Sequence, residues 1–412
     1  MLTTLAPGFD LSDPDLLADH LPLQEFAYLR RHDPVHWNAQ DPAVCGHGDG
    51  GYWAVTRHAD VTAVSIARSG WSVEQNSAFV RHLDTSDAAR EGTKDLLLCM
   101  DPPRHTRVRG VGNRCFTPRA VSRLEDDLRE RAARIVWAAS KKDRGDFVAD
   151  VACRLPLQAI ANLMGFPDEH REQLIHWSDQ MAGSEDPEYG HDSQSASLEI
   201  LAYAYTAAEA RKARDMGDVT SRLVCPDSSG QMLSSEEFGF FFMILAVAGN
   251  ETTRQAIAHG MFAFLEHPEQ WERWREERPV CAVDEILRYA SPAVVLQRTA
   301  TADTEISGRP VRAGERVGLY FASANFDDDV FDDPERFDIG RTPNPHVTFG
   351  GGGEHYCIGA SLTRLEVRIM FDAIADGLAD MQSLGAPRRL RSSWLNGIKE
   401  LPVAYHASGA RV

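Results

Sequence analysis

An uninterrupted apolar segment near the middle of the chain limits the folds that are open to it. Residues Phe238 to Gly249 contain no polar side chain, and Ser234 and Glu237 just before them form the S-x-x-E pattern of a helix capping box. About twelve residues cannot cross a bilayer, which needs about 20. We therefore predict a helix that is buried in the core of a large folded protein.

Composition excludes several classes of protein. The 412 residues carry a net charge of −18, which argues against a nucleic-acid-binding protein, because such proteins present a basic face. With 43% hydrophobic and 25% charged residues, wholesale disorder is excluded.

The seven cysteines form no C-x-x-C pair, and the N-terminus has neither a basic region nor an apolar core typical of a signal peptide. We expect reduced thiols and a cytoplasmic protein with no membrane span.

Hydrophobic periodicity predicts a mainly α fold with small β-sheets, organised as a single domain over residues 1–412. Short strands are expected at 35–37 and 51–55, again after Pro292, and as a pair around 388–405. Helical patterns occur before and between these strands, at 23–32, 59–67, 103–115, 119–141, 150–164, 168–183, 194–215, 234–265, 268–276, 279–289 and 359–378.

A glycine-rich loop that leads into the last long helix is the sharpest motif. Residues 349–359 read Phe-Gly-Gly-Gly-Gly-Glu-His-Tyr-Cys-Ile-Gly, so Cys357 lies just before a helix N-terminus, where backbone N–H groups favour a thiolate. Glycines allow a flat ligand to approach the backbone, and a single axial thiolate in such a loop can hold haem iron. Taken alone, Cys357 is better interpreted as an ordinary buried cysteine, but the surrounding phenylalanine, glycines and histidine favour the haem-binding interpretation.

A second motif interrupts the apolar helix with Ala248-Gly249-Asn250-Glu251-Thr252-Thr253. Glycine within a helix costs about 1 kcal/mol relative to alanine, and a buried carboxyl group adds a desolvation penalty. An acid and an alcohol that face a cavity can deliver protons. The alternative is a bent helix in which Glu251 forms an internal ion pair.

Two further patterns indicate a functional site only in combination with the Cys357 loop and the Ala248–Thr253 segment. Glu285 and Arg288 stand at i, i+3, a spacing that usually gives a surface ion pair of little energetic value. His105 and Arg109 stand at i, i+4 after a double proline, and Arg298 could join them to bind carboxylates. Alone, the 101–109 segment would be a solvated basic face.

The residues 46–51 match the dinucleotide-binding pattern G-x-G-x-x-G. That pattern needs a strand before it and a helix after it, whereas here an aromatic strand follows. We therefore predict no nucleotide site in this loop.

Taken together and in this order, the motifs resemble those of bacterial cytochromes P450, and most closely those of actinobacterial sterol and branched-lipid side-chain hydroxylases. The closer likeness includes Gln297–Ala300, Ser323–Asp327 and Arg389–Lys399. The spacing from Phe349 to Cys357 is one residue longer than the common family form, as it is in that subgroup. Glu354 replaces a residue that is more often small.

The resemblance implies a haem-thiolate monooxygenase with haem b (iron protoporphyrin IX). Cys357 would ligate the iron and Phe349 would pack beside it. The haem propionates would be bound by His105, Arg109, Arg298 and His355. Glu251 and Thr252 would relay protons as catalytic residues, whereas Glu285 and Arg288 would have a structural role.

A hydrophobic substrate pocket is expected opposite Cys357, on the side of Thr252, together with part of the 70–98 loop. Its candidate walls are all apolar: Ile244, Leu245, Ala248, Val294, Val295, Leu296, Trp394 and Leu395. For each of them, plain core packing is an equally good interpretation.

The chain carries no flavin or nicotinamide domain, so electrons are expected from a ferredoxin and its reductase. A basic patch on the thiolate side would dock the acidic ferredoxin, and its members would be Arg107, Arg114, Arg119, Arg364 and Arg368.

Two other functions stay open. One is tailoring of a polyketide, terpene or carrier-bound amino acid. The other is a haem-binding sensor without catalysis, which would need Cys357 but not Glu251 or Thr252.

Overall fold

Helices make up most of the regular structure in the computed structural model, which describes residues 2–82, 92–189, 193–378 and 380–405. Small sheets accompany them, so the predicted mainly α fold is confirmed. The α-helices are α1 (Pro14–Asp19), α2 (Leu23–His32), α3 (Pro42–Cys45), α4 (His58–Ile66), α5 (Arg104–Asn113), α6 (Pro118–Ser122), α7 (Glu125–Ala139), α8 (Arg154–Met164), α9 (Arg171–Ala182), α10 (Ser193–Ala213), α11 (Val219–Val224), α12 (Ser235–Ile244), α13 (Asn250–Glu266), α14 (Pro268–Glu277), α15 (Ala282–Ala290), α16 (Phe321–Ala324) and α17 (Ala360–Gly377).

The strands are short. They are β1 (Val35–Ala39), β2 (Gly51–Val55), β3 (Trp71–Ser72), β4 (Arg144–Asp146), β5 (Val295–Ala300), β6 (Thr304–Ile306), β7 (Arg309–Val311), β8 (Arg316–Tyr320), β9 (Gln382–Ser383), β10 (Arg388–Arg389), β11 (Ile398–Glu400) and β12 (Pro402–Ala404). The largest sheet has the order β1-β2-β8-β5-β3, in which only the β2–β8 pair is parallel.

Contacts along the chain define two compact units. The first comprises the described residues within Met1–Pro102, Asp284–Cys357 and Arg389–Gly397, and the second those within Pro103–Val283, Ile358–Arg388 and Ile398–Val412. Each unit is discontinuous in sequence. The single domain over residues 1–412 stays a prediction.

The first unit holds the five-stranded sheet and a core of interleaved aliphatic and aromatic side chains. Val317 and Leu319 of β8 are fully buried in one cluster, while Tyr320 of the same strand joins a second cluster with Tyr52 and Phe26. The alternation follows from the strand geometry, which sends successive side chains to opposite faces of the sheet. This unit carries the loop that ends at Cys357.

In the second unit, the apolar segment forms the predicted buried helix. Ser234 and Glu237 make the capping box that the sequence predicts, and Phe238, Phe241 and Phe242 are almost completely buried. The helix is not uniform, because a π-helical turn over Leu245–Gly249 separates α12 from α13. Such turns often occur at functional sites.

The helix predicted over 119–141 differs from the structure. The pattern over 119–141 forms two helices, because Thr117 caps a first short helix with Pro118 at its start, and a new acidic first turn begins α7 at Glu125. Gly46 ends the four-residue helix α3 in a left-handed conformation, and β2 begins at Gly51. The G-x-G-x-x-G segment therefore has no strand-to-helix context, as predicted.

Among the residues that the structure describes, none of the helices is both long enough and apolar enough to cross a membrane.

Candidate active site

The loop before α17 presents Cys357 to its surroundings. The Cys357 N–H donates to the Phe349 carbonyl oxygen over 2.9 Å, and the Gly350 N–H donates to the Val347 carbonyl oxygen over 2.8 Å, so backbone hydrogen bonds help to close the loop. Cys357 is exposed, whereas the six other cysteines are buried or half-buried. The Cys357 thiol is thus accessible to a group that approaches the loop.

Packing inside the first unit explains why glycines follow Phe349. Gly353 has φ +75°, and a Cβ atom on it would lie 2.0 Å from the Ser65 carbonyl oxygen at the end of α4. A Cβ atom on Gly352, with φ +108°, would lie 2.9 Å from the Ile66 side chain. These glycines were expected to admit a flat ligand, but at these two positions the approach of α4 already requires them.

Arg298 on β5 is a buried cation in the same unit. Only 8% of its surface is exposed, and its Nη1 donates to the Gln297 carbonyl oxygen over 2.8 Å. Burial lowers the pKa of Arg298 to about 10, against weaker opposing effects of Cys99, Asp101 and Glu354. Among the described residues, no carboxylate oxygen lies within ion-pair distance of its guanidinium group.

The other predicted propionate ligands are placed on separate elements. His355 lies half-buried within the Cys357 loop, and Phe349 is buried with its ring centroid 6.1 Å from that of Tyr356. His105 and Arg109 lie on α5 in the second unit, one helical turn apart, with His105 almost fully buried. The structure therefore brings Cys357, Phe349 and His355 together in one loop.

The π-helical turn organises the polar patch of the second unit. The Thr252 hydroxyl donates to the Ala248 carbonyl oxygen over 2.7 Å, which satisfies a carbonyl group within the turn. A Cβ atom on Gly249 would lie 2.8 Å from the Ile160 side chain, so a neighbouring helix packs closely here. The Asn250 amide donates to the Ser178 hydroxyl over 3.1 Å. Thr252 is half-buried.

Glu251 is completely buried and forms an ion pair with Arg254. Arg254 also binds Asp179 of α9, with 2.8 Å between Nη1 and Oδ1. Burial raises the pKa of Glu251, and the Arg254 guanidinium opposes that rise. The alternative interpretation of the sequence, an internal ion pair, thus describes the observed contact. A carboxyl group with a raised pKa still suits proton transfer once it is released from this contact.

Sequence reasoning missed Arg254 and Asp179. Arg254 follows Glu251 at i, i+3, the same spacing that drew attention to Glu285 and Arg288, so this partner was visible in the sequence. Asp179 lies on a different helix and leaves no local signal.

Glu285 and Arg288 form a buried network, not a surface pair. Both are completely buried, and Arg288 binds the two carboxylate oxygens of Glu285 over 2.8 and 2.9 Å. Arg341 adds bonds of 3.1 and 3.2 Å to the same carboxylate. Arg288 also donates to the carbonyl oxygens of Asn325 and Pro334. This geometry ties α15 to the irregular segment that precedes the Cys357 loop.

The predicted pocket walls differ in their burial. Leu245, Val294, Val295 and Leu395 are buried, and Val294 and Val295 belong to the core cluster around Tyr320. Half-buried side chains retain surface that a substrate could contact, and they are Ile244, Ala248, Leu296 and Trp394. The roles of all eight stay predictions.

The expected basic patch carries less unpaired positive charge than its sequence suggests. Arg107 pairs with Glu237, and Arg114 pairs with Asp227 at 2.6 Å. Arg368 is half-buried and donates to the carbonyl oxygens of Arg278 and Pro279. Arg119 is exposed at the start of α6, and Arg364 is half-buried on α17.

The residues of the first unit fit a haem group. An exposed Cys357 thiol at a rigid loop supplies the one soft ligand that haem iron needs from this chain. Arg298 is a desolvated cation that no described carboxylate neutralises, and a haem propionate would supply the missing anion. Cys357 would hold the iron, and Arg298 with His355 would hold propionate groups.

Arg298→Leu is expected to weaken haem retention by about 10- to 100-fold, since a charge-assisted hydrogen bond contributes about 1.5–3 kcal/mol. The haem-free variant should unfold at the same or a higher temperature than the haem-free wild type, because a buried unpaired cation is removed. Haem transfer to an acceptor globin and thermal unfolding of the haem-free protein measure the two effects. Arg298→Lys, which keeps the charge, is the matched control. Equal haem retention in Arg298→Leu and wild type would contradict this role.

Comparison with known proteins gives a consistent family. The family model for cytochrome P450 matches residues 204–374. A steroid C26-monooxygenase of Rhodococcus jostii is 51% identical over 98% of this chain and 86% of its own length. A methyl-branched lipid omega-hydroxylase of Mycobacterium tuberculosis is 40% identical over 92% of this chain and 90% of its own. A Mycobacterium marinum cytochrome P450 solved with pseudoionone superposes with a TM-score of 0.87 at 35% identity, covering 96% of this chain and 98% of that one.

These likenesses extend over nearly the whole chain, and so they include every motif on which the resemblance was first based. Identity of about half of all residues over such a length does not arise between unrelated families. The chain therefore belongs to the cytochrome P450 family and is a haem-dependent monooxygenase.

Proposed function

We propose that the chain hydroxylates the side chain of a steroid or a methyl-branched lipid. The observation that carries this proposal is the 51% identity to a steroid C26-monooxygenase over 98% of the chain. The methyl-branched lipid omega-hydroxylase, at 40% identity, supports the same substrate chemistry. Both relatives are named for oxidation near the end of a branched alkyl chain, and we infer that this chain also binds such a chain end.

The reaction is insertion of one atom of dioxygen into a C–H bond, while the other atom leaves as water at the expense of two electrons and two protons. When bound, haem with a thiolate ligand supplies the O–O cleavage chemistry. The Cys357 sulfur would hold the haem iron and would donate electron density to it. The polypeptide otherwise positions the substrate, excludes bulk water and delivers protons.

Proton delivery rests on Thr252 and Glu251. The Thr252 hydroxyl can give its proton forward and take another, because its present acceptor is a single carbonyl oxygen in an irregular helical turn. Glu251 carries a proton more readily than an exposed glutamate, since burial raises its pKa. The ion pair with Arg254 keeps the Glu251 carboxyl group from transferring a proton until that pair opens.

Thr252→Ala is expected to divert electrons into hydrogen peroxide and to lower product per electron on the order of 10²-fold, the lower end of the range that general acid–base groups contribute. Turnover with a ferredoxin and its reductase, with product and peroxide quantified together, measures the split. Thr252→Ser keeps the hydroxyl and should retain most of the coupling. Unchanged coupling in Thr252→Ala would remove this residue from the relay.

Electrons are proposed to come from a ferredoxin and its reductase in the cytoplasm. Free cysteines throughout the described chain suit a reducing compartment. Arg107, Arg114 and Arg119 are the exposed members of the predicted basic patch, and they stand in a chain of net charge −18. Because Arg107 and Arg114 already pair with carboxylates, we expect electrostatic attraction of an acidic ferredoxin to be modest.

A spin-shift titration of the ferric holoenzyme tests the substrate class. We expect micromolar binding of a steroid that retains its branched side chain, of a methyl-branched fatty acid, or of both. The steroid nucleus without its side chain is the matched control and should bind at least tenfold more weakly. Product analysis should place the new hydroxyl group on the alkyl chain.

Two results would overturn this proposal in distinguishable ways. Binding and oxidation only of polyketides, terpenes or carrier-bound amino acids would replace it by a tailoring hydroxylase. Haem binding without turnover of any probe, under ferredoxin-driven reduction, would favour the non-catalytic sensor.

A further inference from the structure

A cleft on the second unit is lined by basic side chains that have no role in the proposals above. It has a volume of about 410 Å³ and is lined by five cationic residues and a single acidic one. They are Arg131, Arg134, Lys142, Arg154, Arg171 and Asp150. This excess of positive charge stands out in a chain whose net charge is −18.

Helical spacing brings these charges to one face. Arg131 and Arg134 stand one turn apart on α7, and Lys142 follows on the same side just after that helix ends. Arg154 begins α8, which packs against α7, and Arg171 begins α9. Four of these cations have a carboxylate oxygen within 4 Å: Arg131 has Asp127, Arg134 has Glu130, Lys142 has Asp150 and Arg154 has Glu172. An anion in the cleft would therefore bind the guanidinium nitrogens that these pairs leave unused.

Hydrogen bonds to neighbouring side chains hold the two most buried guanidinium groups of the cleft in place. Arg131 donates from Nε to Asp127 over 2.7 Å, and Arg171 donates to the side-chain oxygen of Asn162. Asn162 in turn donates to the same Asp127 oxygen over 2.5 Å. This chain of bonds fixes both guanidinium groups before any ligand arrives, which reduces the entropy lost on binding.

Donors remain for a ligand. Asp127 takes only Nε of Arg131, and among the described residues neither terminal nitrogen of this side chain has a hydrogen-bond or ion-pair partner. The nearest carboxylate oxygen to Arg134 belongs to Glu130, 3.9 Å from Nε, too far for a hydrogen bond. Lys142 is bound to Asp150 at 2.6 Å, and a phosphate oxygen could replace that carboxylate as its partner.

We propose that this cleft binds a phosphate-type oxyanion, either a soluble diphosphate or phosphate ester or the phosphate of a lipid headgroup. Planar guanidinium groups match phosphate oxygens in a two-point geometry, and several of them together suit a multiply charged group. The volume exceeds that of one phosphate and fits a diphosphate or an ester. The proposal is independent of the steroid or lipid substrate.

Calorimetric titration of the purified holoenzyme with inorganic diphosphate tests for a soluble ligand. Co-sedimentation with phosphatidylglycerol vesicles, against phosphatidylcholine vesicles, tests for a headgroup. The variant Arg134→Gln/Lys142→Gln removes two half-exposed charges and should weaken binding at least tenfold. Arg309→Gln/Arg312→Gln removes the same charge from exposed positions of the first unit and should leave binding unchanged.

Diphosphate binding that only the cleft variant loses would support a soluble ligand, and vesicle binding alone that it loses would support a headgroup. Arg131→Gln should reproduce the loss in either case, with far-UV circular dichroism to show that it folds. No binding of either probe to wild type, or an equal loss in both double variants, would overturn the proposal.

Discussion

Glu285→Ala is expected to lower the free energy of unfolding by about 3–5 kcal/mol, the range for removing one partner of a buried ion pair. The change leaves Arg288, which is completely buried, without its bidentate carboxylate, and it also removes the partner of Arg341. The carbonyl oxygens of Asn325 and Pro334 cannot neutralise the charge that remains. Urea unfolding followed by far-UV circular dichroism, with haem absorbance as a second probe, measures the loss.

Glu272→Ala is the matched control, because Glu272 and Arg275 have the same i, i+3 spacing on a helix, with 60% and 32% exposed side chains. Exposed pairs contribute about 0–1 kcal/mol, so this variant should unfold nearly as wild type does. Similar losses in both variants would show that the buried network does not stabilise the fold. The network would then offer no support to the segment that leads to Cys357.

Cys357→Ser should reduce product formation on the order of 10³-fold or more, as when a group essential to a reaction is removed. The thiolate ligand is lost, but the loop should persist because its closing bond uses the Cys357 N–H and the Phe349 carbonyl oxygen. Activity at fixed protein concentration and far-UV circular dichroism separate the two effects. Cys225→Ser, at a half-buried thiol whose sulfur donates to the Arg211 carbonyl oxygen, should keep activity. Wild-type turnover by Cys357→Ser would contradict the assigned role.

Local spacing predicted contacts within helices better than it predicted their surroundings. The i, i+3 rule found Glu285 and Arg288, yet their burial depends on Arg341 and on carbonyl groups far along the chain, which no local pattern encodes. The same rule, applied to Glu251, would have found Arg254. Asp179 could not be found, because it meets Arg254 only through the packing of α9 against α13.

Irregular backbone was the second kind of feature that could not be predicted from the sequence. The apolar segment and its capping box predicted a buried helix, but the π-helical turn at Leu245–Gly249 leaves the hydrophobic pattern unchanged and was not predicted. The glycines after Phe349 were recognised as special, but the neighbour that requires Gly353 is Ser65 of α4, remote in sequence. Tertiary contacts of this kind decide such positions.

The absorption spectrum of the reduced holoenzyme with carbon monoxide tests the central claim most directly. If the Cys357 thiolate ligates haem iron, the carbonyl adduct will show the strongly red-shifted Soret band of thiolate ligation, and Cys357→Ser will lack it. A wild-type adduct with the band of a histidine-ligated haem protein, or a purified protein that binds no haem at all, would contradict the account.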